Sequence, residues 1–134
     1  MMETENLTSH QLNTLTGQII GDAMEVHTAL GPGLLESTYE TCLFHELKIA
    51  GINTASQVYL PVKYKGTNLD AGYRIDLIVE DSIIIELKAV ETLTKLHTAQ
   101  ILAYMKLNKT RLGLVISFNV PHLRQGIKRI VNKF

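Results

Sequence analysis

Residues 83–90 of the sequence, Ile-Ile-Ile-Glu-Leu-Lys-Ala-Val, carry a carboxylate and an ammonium inside an apolar segment. The segment is short and rich in β-branched residues, which is typical of a strand that is covered on both faces. Because side chains alternate along a strand, Glu86 and Lys88 share one face, and Leu87 lies on the other. Charges in such a strand are costly unless they are paired, bound to a metal or at the rim of a cleft.

A second segment, residues 73–79, repeats this pattern just upstream. Asp76 interrupts its apolar run, and Arg74 lies on the same face. The two segments are predicted to be neighbouring strands, which would offer one site an aspartate, a glutamate and a lysine.

Two carboxylates and a lysine suit the hydrolysis of a phosphodiester. This reaction needs an activated water, neutralisation of the charge on the phosphate, and help for the leaving oxygen. A hard cation such as Mg²⁺ supplies all three, and it binds carboxylates while retaining several waters. Asp76 and Glu86 are the candidate ligands, with the carbonyl of Leu87 as a third, and Lys88 could orient or deprotonate the attacking water. The alternative is a buried ion pair without catalysis.

The rest of the sequence predicts the elements that would position these residues. Apolar spacing predicts helices over residues 12–30 and 34–50, separated by Gly31-Pro32-Gly33. Three antiparallel strands are predicted over residues 56–64, 71–80 and 82–90. A helix follows over residues 94–107 and a strand over residues 112–118. The tail, residues 126–133, fits either a last strand or a helical turn.

This order, ααβββαβ with a possible last strand, contains a strand, a helix and a further strand in succession. Such a succession needs a crossover connection, so we expect an α/β domain with a mixed sheet flanked by helices. Residues 1–11 are predicted to be a flexible N-terminus, and residues 12–134 a single domain.

Asp76 followed by Glu86-Leu87-Lys88 resembles the PD-(D/E)XK nuclease signature, and the order of elements resembles the core of that superfamily. Gly33-x-x-Glu36-x-x-Tyr39 further resembles the GxxExxY family, a group of small proteins placed in the superfamily, and the likeness extends from about Leu15 to Val131. Ile75 stands where the signature has Pro, but this residue is not a ligand. The resemblance implies a restriction-endonuclease-like fold and a Mg²⁺- or Mn²⁺-dependent nuclease acting on DNA or RNA.

The resemblance also implies roles for further polar residues. Glu36, the acidic residue of the GxxExxY motif, would be an additional metal ligand, although acidic residues also favour helix N-termini. Gln100 and Tyr104 share a helical face and resemble a Gln-x-x-x-Tyr motif that lies beside the active site in several nuclease branches. They could contact a substrate phosphate or hold the lysine. His97 and Arg74 are further candidates for substrate contact, and by spacing alone all of these are ordinary polar positions.

Composition excludes several other classes of protein. The chain has 134 residues, 46% hydrophobic and 19% charged, which fits a soluble globular domain. No apolar run approaches the roughly 20 residues that span a membrane, and the polar N-terminus is unlike a signal peptide, so a cytoplasmic location is predicted. The single Cys42 excludes an intrachain disulfide and a cysteine-based zinc site.

The charge is zero overall but unevenly distributed. Through Glu91 there are 13 acidic and 5 basic residues, whereas no acidic residue follows Glu91. A basic segment beside an acidic site suits a polyanionic substrate, so we expect this segment to line one rim of the cleft. Its members are Lys95, Lys106, Lys109, Arg111, Arg124, Lys128, Arg129 and Lys133.

A nuclease is therefore the leading hypothesis. The alternatives are a nucleic-acid-binding or protein-interaction module that has kept the fold without turnover, and a metal-dependent hydrolase of another phosphoester. Because so small a domain covers little duplex, cutting both strands would need two copies, and a homodimer is the simplest arrangement.

Overall fold

The structure, a computed structural model, describes residues 7–132. It contains seven strands over this range: β1 (Thr54–Tyr59), β2 (Val62–Tyr64), β3 (Thr67–Leu69), β4 (Arg74–Val79), β5 (Ile83–Lys88), β6 (Leu112–Ser117) and β7 (Ile127–Val131). The α-helices are α1 (Ser9–Leu30), α2 (Glu36–Ile49) and α3 (Lys95–Asn108), and a 3₁₀ turn spans Leu123–Gly126.

Five of the strands form one mixed sheet in the order β1-β4-β5-β6-β7. Strands β5 and β6 run parallel, and α3 makes the crossover between them, whereas the other neighbours are antiparallel. The predicted α/β class with a mixed sheet is confirmed, and the tail forms the last strand rather than a helical turn.

Helices cover both faces of this sheet. The apolar stripes of α1 and α2 pack on one face, around buried residues such as Ile19, Leu43 and Ile85. Helix α3 packs on the other face, where Ile101 and Met105 contact a second apolar cluster that includes Ile84. The central strand β5 therefore lies between two cores, which explains its continuous apolar sequence. No helix within residues 7–132 has both the length and the apolar character that a membrane crossing requires.

Helix α1 begins at Ser9, three residues before the predicted start. Thr8 and Gln11 form a capping box, in which the Thr8 hydroxyl accepts from the Gln11 amide and the Gln11 side chain accepts from the Thr8 amide. The helix thus extends into the segment that the sequence predicted to be flexible, and residues 1–6 of that segment lie outside the described residues.

The prediction of one strand over residues 56–64 is wrong. Strand β1 ends at Tyr59, before Pro61, which lacks the amide that a continued strand would donate. Strands β2 and β3 then form a separate two-stranded hairpin, which we call the hairpin arm (residues 61–72). The arm ends before β4, which begins at Arg74 rather than near residue 71.

Candidate active site

The candidate site lies where β4 and β5 separate. The antiparallel pairing of the two strands stops at Leu77 and Ile85. Beyond this point the amide of Asp76 donates to Glu86 Oε2 at 2.8 Å, and the amide of Leu87 donates to Asp76 Oδ2 at 2.8 Å. Two carboxylates thus take the places of ladder carbonyls, and the structure brings together the two acidic residues that the sequence singled out.

The amide of Leu87 points toward β4, whereas the carbonyl of Lys88 accepts from Phe118 on the β6 side. In a strand the amide and the carbonyl of one residue point to the same neighbour. We therefore expect the Leu87 carbonyl to face Asp76, as a third metal ligand would require.

Glu86 is an almost fully buried carboxyl, 4% exposed. The pKa of Glu86 is raised to about 8, first by burial and then by the nearby charge of Asp76, whose effect exceeds the opposing effect of the Lys88 ammonium. Ionisation of Glu86 is thus costly unless a cation lies beside it, which fits a site for a cation.

Lys88 lies on the α3 side of the sheet and is anchored there. Its Nζ donates to Gln100 Oε1 at 2.8 Å, and Gln100 Nε2 approaches the Tyr104 hydroxyl at 3.4 Å. Burial, followed by the charge of Glu86, raises the pKa of the Tyr104 phenol. These contacts fit the role of the Gln-x-x-x-Tyr pair in holding the lysine, and its contact with a substrate phosphate stays a prediction.

A third carboxylate, Glu40, joins the site from α2 and was missed by the sequence analysis. Gln57 Nε2 lies 2.9 Å from both Glu40 oxygens and 3.4 Å from Asp76 Oδ1. Burial raises the pKa of Glu40, and the charge of Asp76 adds to this increase. One signal was present in the sequence, because Glu40 lies one helical turn after Glu36 and so shares its face.

Glu36 itself is exposed at the first turn of α2, and within residues 7–132 its side chain makes no hydrogen bond to the other acidic residues. Its partner in the motif, Tyr39, is fully buried. The Tyr39 hydroxyl donates to the Gly31 carbonyl at 2.6 Å and accepts from the Leu34 amide at 3.0 Å, and its ring stacks on Phe118. Tyr39 therefore holds the loop between α1 and α2.

The two remaining candidates lie close to the site in sequence but have other contacts. His97 Nδ1 accepts from the Thr94 amide at 3.0 Å and so caps α3. The Arg74 guanidinium lies 4.9 Å from the centre of the Tyr59 ring and donates to the Tyr73 carbonyl, while the side chain stays exposed.

The expectation that the basic C-terminal segment lines the cleft is wrong for Lys109 and Arg111. Leu112 pairs with Ile83, so both basic residues lie beside the turn between β4 and β5. This end of the sheet is about 17 Å from Lys88, which is five strand residues further along β5. Clustering in the sequence was misleading because α3 returns the chain to the opposite end of the sheet.

The side chains in the site fit a hard divalent cation in type. All three acidic residues offer oxygen ligands, and Glu86 is buried beside Asp76 without full compensation. Within residues 7–132, however, no three His, Cys, Asp or Glu side chains are arranged to hold a metal ion together. Mg²⁺ commonly takes only one or two carboxylates and completes its shell with water, so the donor set remains suitable.

Comparison with known proteins agrees with this geometry. The family model of the PD-(D/E)XK nuclease superfamily matches residues 13–130. No curated protein and no solved structure matches the chain significantly. The matched range contains both site strands, the crossover helix and Glu40, and it covers most of the chain. The chain therefore belongs to the PD-(D/E)XK nuclease superfamily.

Proposed function

We propose that this protein is a divalent-metal-dependent nuclease that hydrolyses phosphodiester bonds of DNA or RNA. The observation that supports this most directly is the meeting of Asp76, Glu86 and Lys88 where β4 and β5 separate. The membership of the superfamily makes nucleic acid the expected substrate. Gly33, Glu36 and Tyr39 further support a place in the GxxExxY group.

Asp76 and Glu86 would hold Mg²⁺ or Mn²⁺, with Glu40 and the Leu87 carbonyl as further donors. When bound, such a cation lowers the pKa of a coordinated water and neutralises charge on the phosphate. The sequence-based role of Glu36 as a ligand stays a prediction beside the stronger candidate Glu40.

Lys88 would position the attacking water and offset negative charge on the phosphate. Its Nζ is already held by Gln100 at 2.8 Å, so it loses little freedom when a substrate binds. The oxygen of the water forms a bond to phosphorus and the water gives up one proton to solvent, while the bond to the leaving oxygen breaks and that oxygen takes up one proton from solvent.

The test is cleavage of single- and double-stranded DNA and RNA by purified protein in Mg²⁺, Mn²⁺ or EDTA. Lys88→Ala should reduce cleavage about 100- to 1,000-fold, the loss seen when one charge-stabilising donor is removed. It should leave Mn²⁺ binding in calorimetry largely unchanged. Lys48→Ala, at the far end of α2, is the matched control and should cleave like wild type.

Two observations favour the alternative of a binding module without turnover. The amides of Asp76 and Leu87 already donate to the two carboxylates, and within residues 7–132 no three-residue metal cluster is formed. A wild-type protein that binds nucleic acid but cleaves none of the substrates in either metal would establish that alternative.

Two further predictions concern the assembly and location of the protein. A homodimer would supply two sites for the two strands of a duplex, and light scattering of the purified protein measures its mass. The cytoplasmic location also stays a prediction, for which fractionation of cells is the test.

A further inference from the structure

Tyrosines are concentrated in the part of the chain that carries the candidate site. Four of the five tyrosines in the chain lie between residues 59 and 104: Tyr59, Tyr64, Tyr73 and Tyr104. Three of them, Tyr59, Tyr64 and Tyr73, expose between 44% and 59% of their surface and are accessible to a ligand. Tyr73 and Tyr104 together form what we call the tyrosine platform.

Tyr73 is the exposed member of this platform, and Tyr104 supports it. The two ring centres are 5.6 Å apart and the planes are inclined at 58°, a tilted contact that orients the Tyr73 ring. Tyr73 is 44% exposed, whereas Tyr104 is 7% exposed. An exposed aromatic ring that is already held in place can stack on a ligand at small cost in side-chain entropy.

The platform is connected to the candidate catalytic lysine by side-chain contacts. Gln100 Nε2 approaches the Tyr104 hydroxyl, and Gln100 Oε1 accepts from Lys88 Nζ. Tyr73 also lies three residues before Asp76, which corresponds to about 10 Å along a strand.

The segment that leads into the platform carries a net positive charge, which suits a polyanion. Over residues 59–74, Lys63, Lys65 and Arg74 stand against a single acidic residue, Asp70. The Arg74 guanidinium lies over the Tyr59 ring, and the Lys65 ammonium lies 5.5 Å from the centre of the Tyr64 ring. Exposed aromatic rings interleaved with basic residues are typical of surfaces that bind single-stranded nucleic acid.

From these contacts we infer that Tyr73, supported by Tyr104, stacks on an unpaired base, so that the site takes single-stranded nucleic acid or an unpaired nucleotide near the scissile phosphate. The assignment of the scissile phosphate rests on the proposed function, whereas the binding of the base does not. A base within a duplex stacks on its neighbours, so duplex binding should gain little from the platform.

The first experiment measures binding of a fluorescent oligothymidylate of about 12 nucleotides in EDTA, within the site sizes usual for single-strand binders. Tyr73→Ala should weaken this binding about 5- to 100-fold, the effect of losing one stacked base. Tyr73→Phe keeps the ring and should stay within about twofold of wild type. Both variants should keep the salt dependence of wild type, because neither removes a charge.

The second experiment uses the absence of tryptophan from the chain. Tyr73→Trp introduces a single indole, and its fluorescence should be quenched by the oligothymidylate but much less by a duplex of equal length. Ile49→Trp, at the exposed C-terminal end of α2, is the control and should respond to neither.

These outcomes separate the platform from the proposed reaction. If wild type cleaves nothing but Tyr73→Ala still weakens binding, the platform stands and the nuclease proposal fails. If wild type cleaves while Tyr73→Ala binds single strands as wild type does, the stacking of Tyr73 on a base is contradicted. The exposed tyrosines would then serve another partner, such as a protein. Equal quenching of both tryptophan variants would also overturn it.

Discussion

Glu40 and Asp76 share a single donor, the Nε2 amide of Gln57, which lies 2.9 Å from both oxygens of Glu40 and 3.4 Å from Asp76 Oδ1. Gln57 has a φ of 52° in the middle of β1, in the left-handed region that few side chains adopt there. The strand pairs with β4 on both sides of Gln57, but the pairing is interrupted opposite Asp76. An unusual backbone conformation thus coincides with the contact that joins α2 to the site.

This contact predicts that Glu40 matters more than Glu36 for metal binding. Glu40→Gln should weaken Mn²⁺ binding about 10- to 100-fold, the range seen when groups around a metal ligand are replaced. Glu36→Gln, one turn earlier on the same helix, is a matched control and should change the affinity by less than about threefold. Calorimetry on the two variants measures the difference. A larger loss of Mn²⁺ affinity in Glu36→Gln than in Glu40→Gln would identify Glu36, the acidic residue of the GxxExxY motif, as the ligand.

Glu86→Gln should separate stability from function. An amide keeps the acceptor for the Asp76 amide and needs no proton, whereas the Glu86 carboxyl, with its pKa raised to about 8, must take up a proton on folding at pH 7. The metal-free protein should therefore become more stable. We expect its midpoint of thermal unfolding at pH 7 to rise by about 3–5 °C, the shift that about 1 kcal/mol produces in a domain of this size.

The same variant should lose Mn²⁺ binding. Glu91→Gln, an exposed carboxylate beyond β5, should leave both quantities unchanged. A Glu86→Gln protein that is less stable than wild type would show that the buried carboxyl does not lower the stability of the folded state.

The position of the basic residues predicts which of them contact phosphates. Replacing Lys63, Lys65 and Arg74 with Gln should reduce the slope of log affinity against log salt by about 2, at roughly 0.7 for each phosphate contact of a single strand. Replacing Lys109 and Arg111, together with Lys106 in the last turn of α3, removes the same charge from the part of the domain where α3 ends, and should have little effect. Filter binding across a salt series shows which group of basic residues contacts phosphates. Equal slopes for both triple variants would contradict the assignment of these contacts to Lys63, Lys65 and Arg74.

Asp22 predicts a pH dependence of stability away from the site. Its Oδ2 is buried and has no hydrogen-bond partner within residues 7–132, and burial, followed by the charges of Glu46 and Glu25, raises the pKa of Asp22. Because the folded state then binds the proton more tightly than the unfolded state, protonation stabilises the protein. This contribution is complete below the unfolded pKa and is lost as the pH rises through the folded pKa.

Asp22→Asn should therefore raise the unfolding midpoint at pH 7, and the gain should disappear as the pH falls toward 3.8, the usual pKa of the carboxyl. Thermal unfolding between pH 4 and 8 measures this trend. Asp81→Asn, at an exposed turn, should show no such pH-dependent gain.

The helices and the central strands could be predicted because their signals are local. The turn at Glu80-Asp81 is one example, since both residues have a φ of 51° and the Ser82 amide donates to the Val79 carbonyl, as a tight hairpin requires. The hairpin arm was missed because its second strand, Thr67–Leu69, is only three residues long and is exposed at every position. Alternation between Val58 and Val62 also continues across Pro61 and resembles one strand.

The site could be predicted only in part, for a related reason. Asp76, Glu86 and Lys88 are visible because each interrupts an apolar strand. Glu40 and Gln57 do not interrupt an apolar strand, so the sequence pattern does not distinguish them from ordinary polar surface residues. Their contact depends on how α2 packs against the edge strand β1, which the periodicity of either segment does not specify.

The hairpin arm leaves and re-enters the sheet at neighbouring positions. The Leu60 amide donates to the Tyr73 carbonyl at 3.0 Å, directly outside the pair formed by Tyr59 and Arg74. The cost of closing such a loop grows slowly with its length, so residues 61–72 can be shortened, lengthened or exchanged while Asp76 keeps its register with β5. The sequence and length of the arm can therefore vary among related proteins and change the preferred substrate, while the residues of the candidate site stay in place.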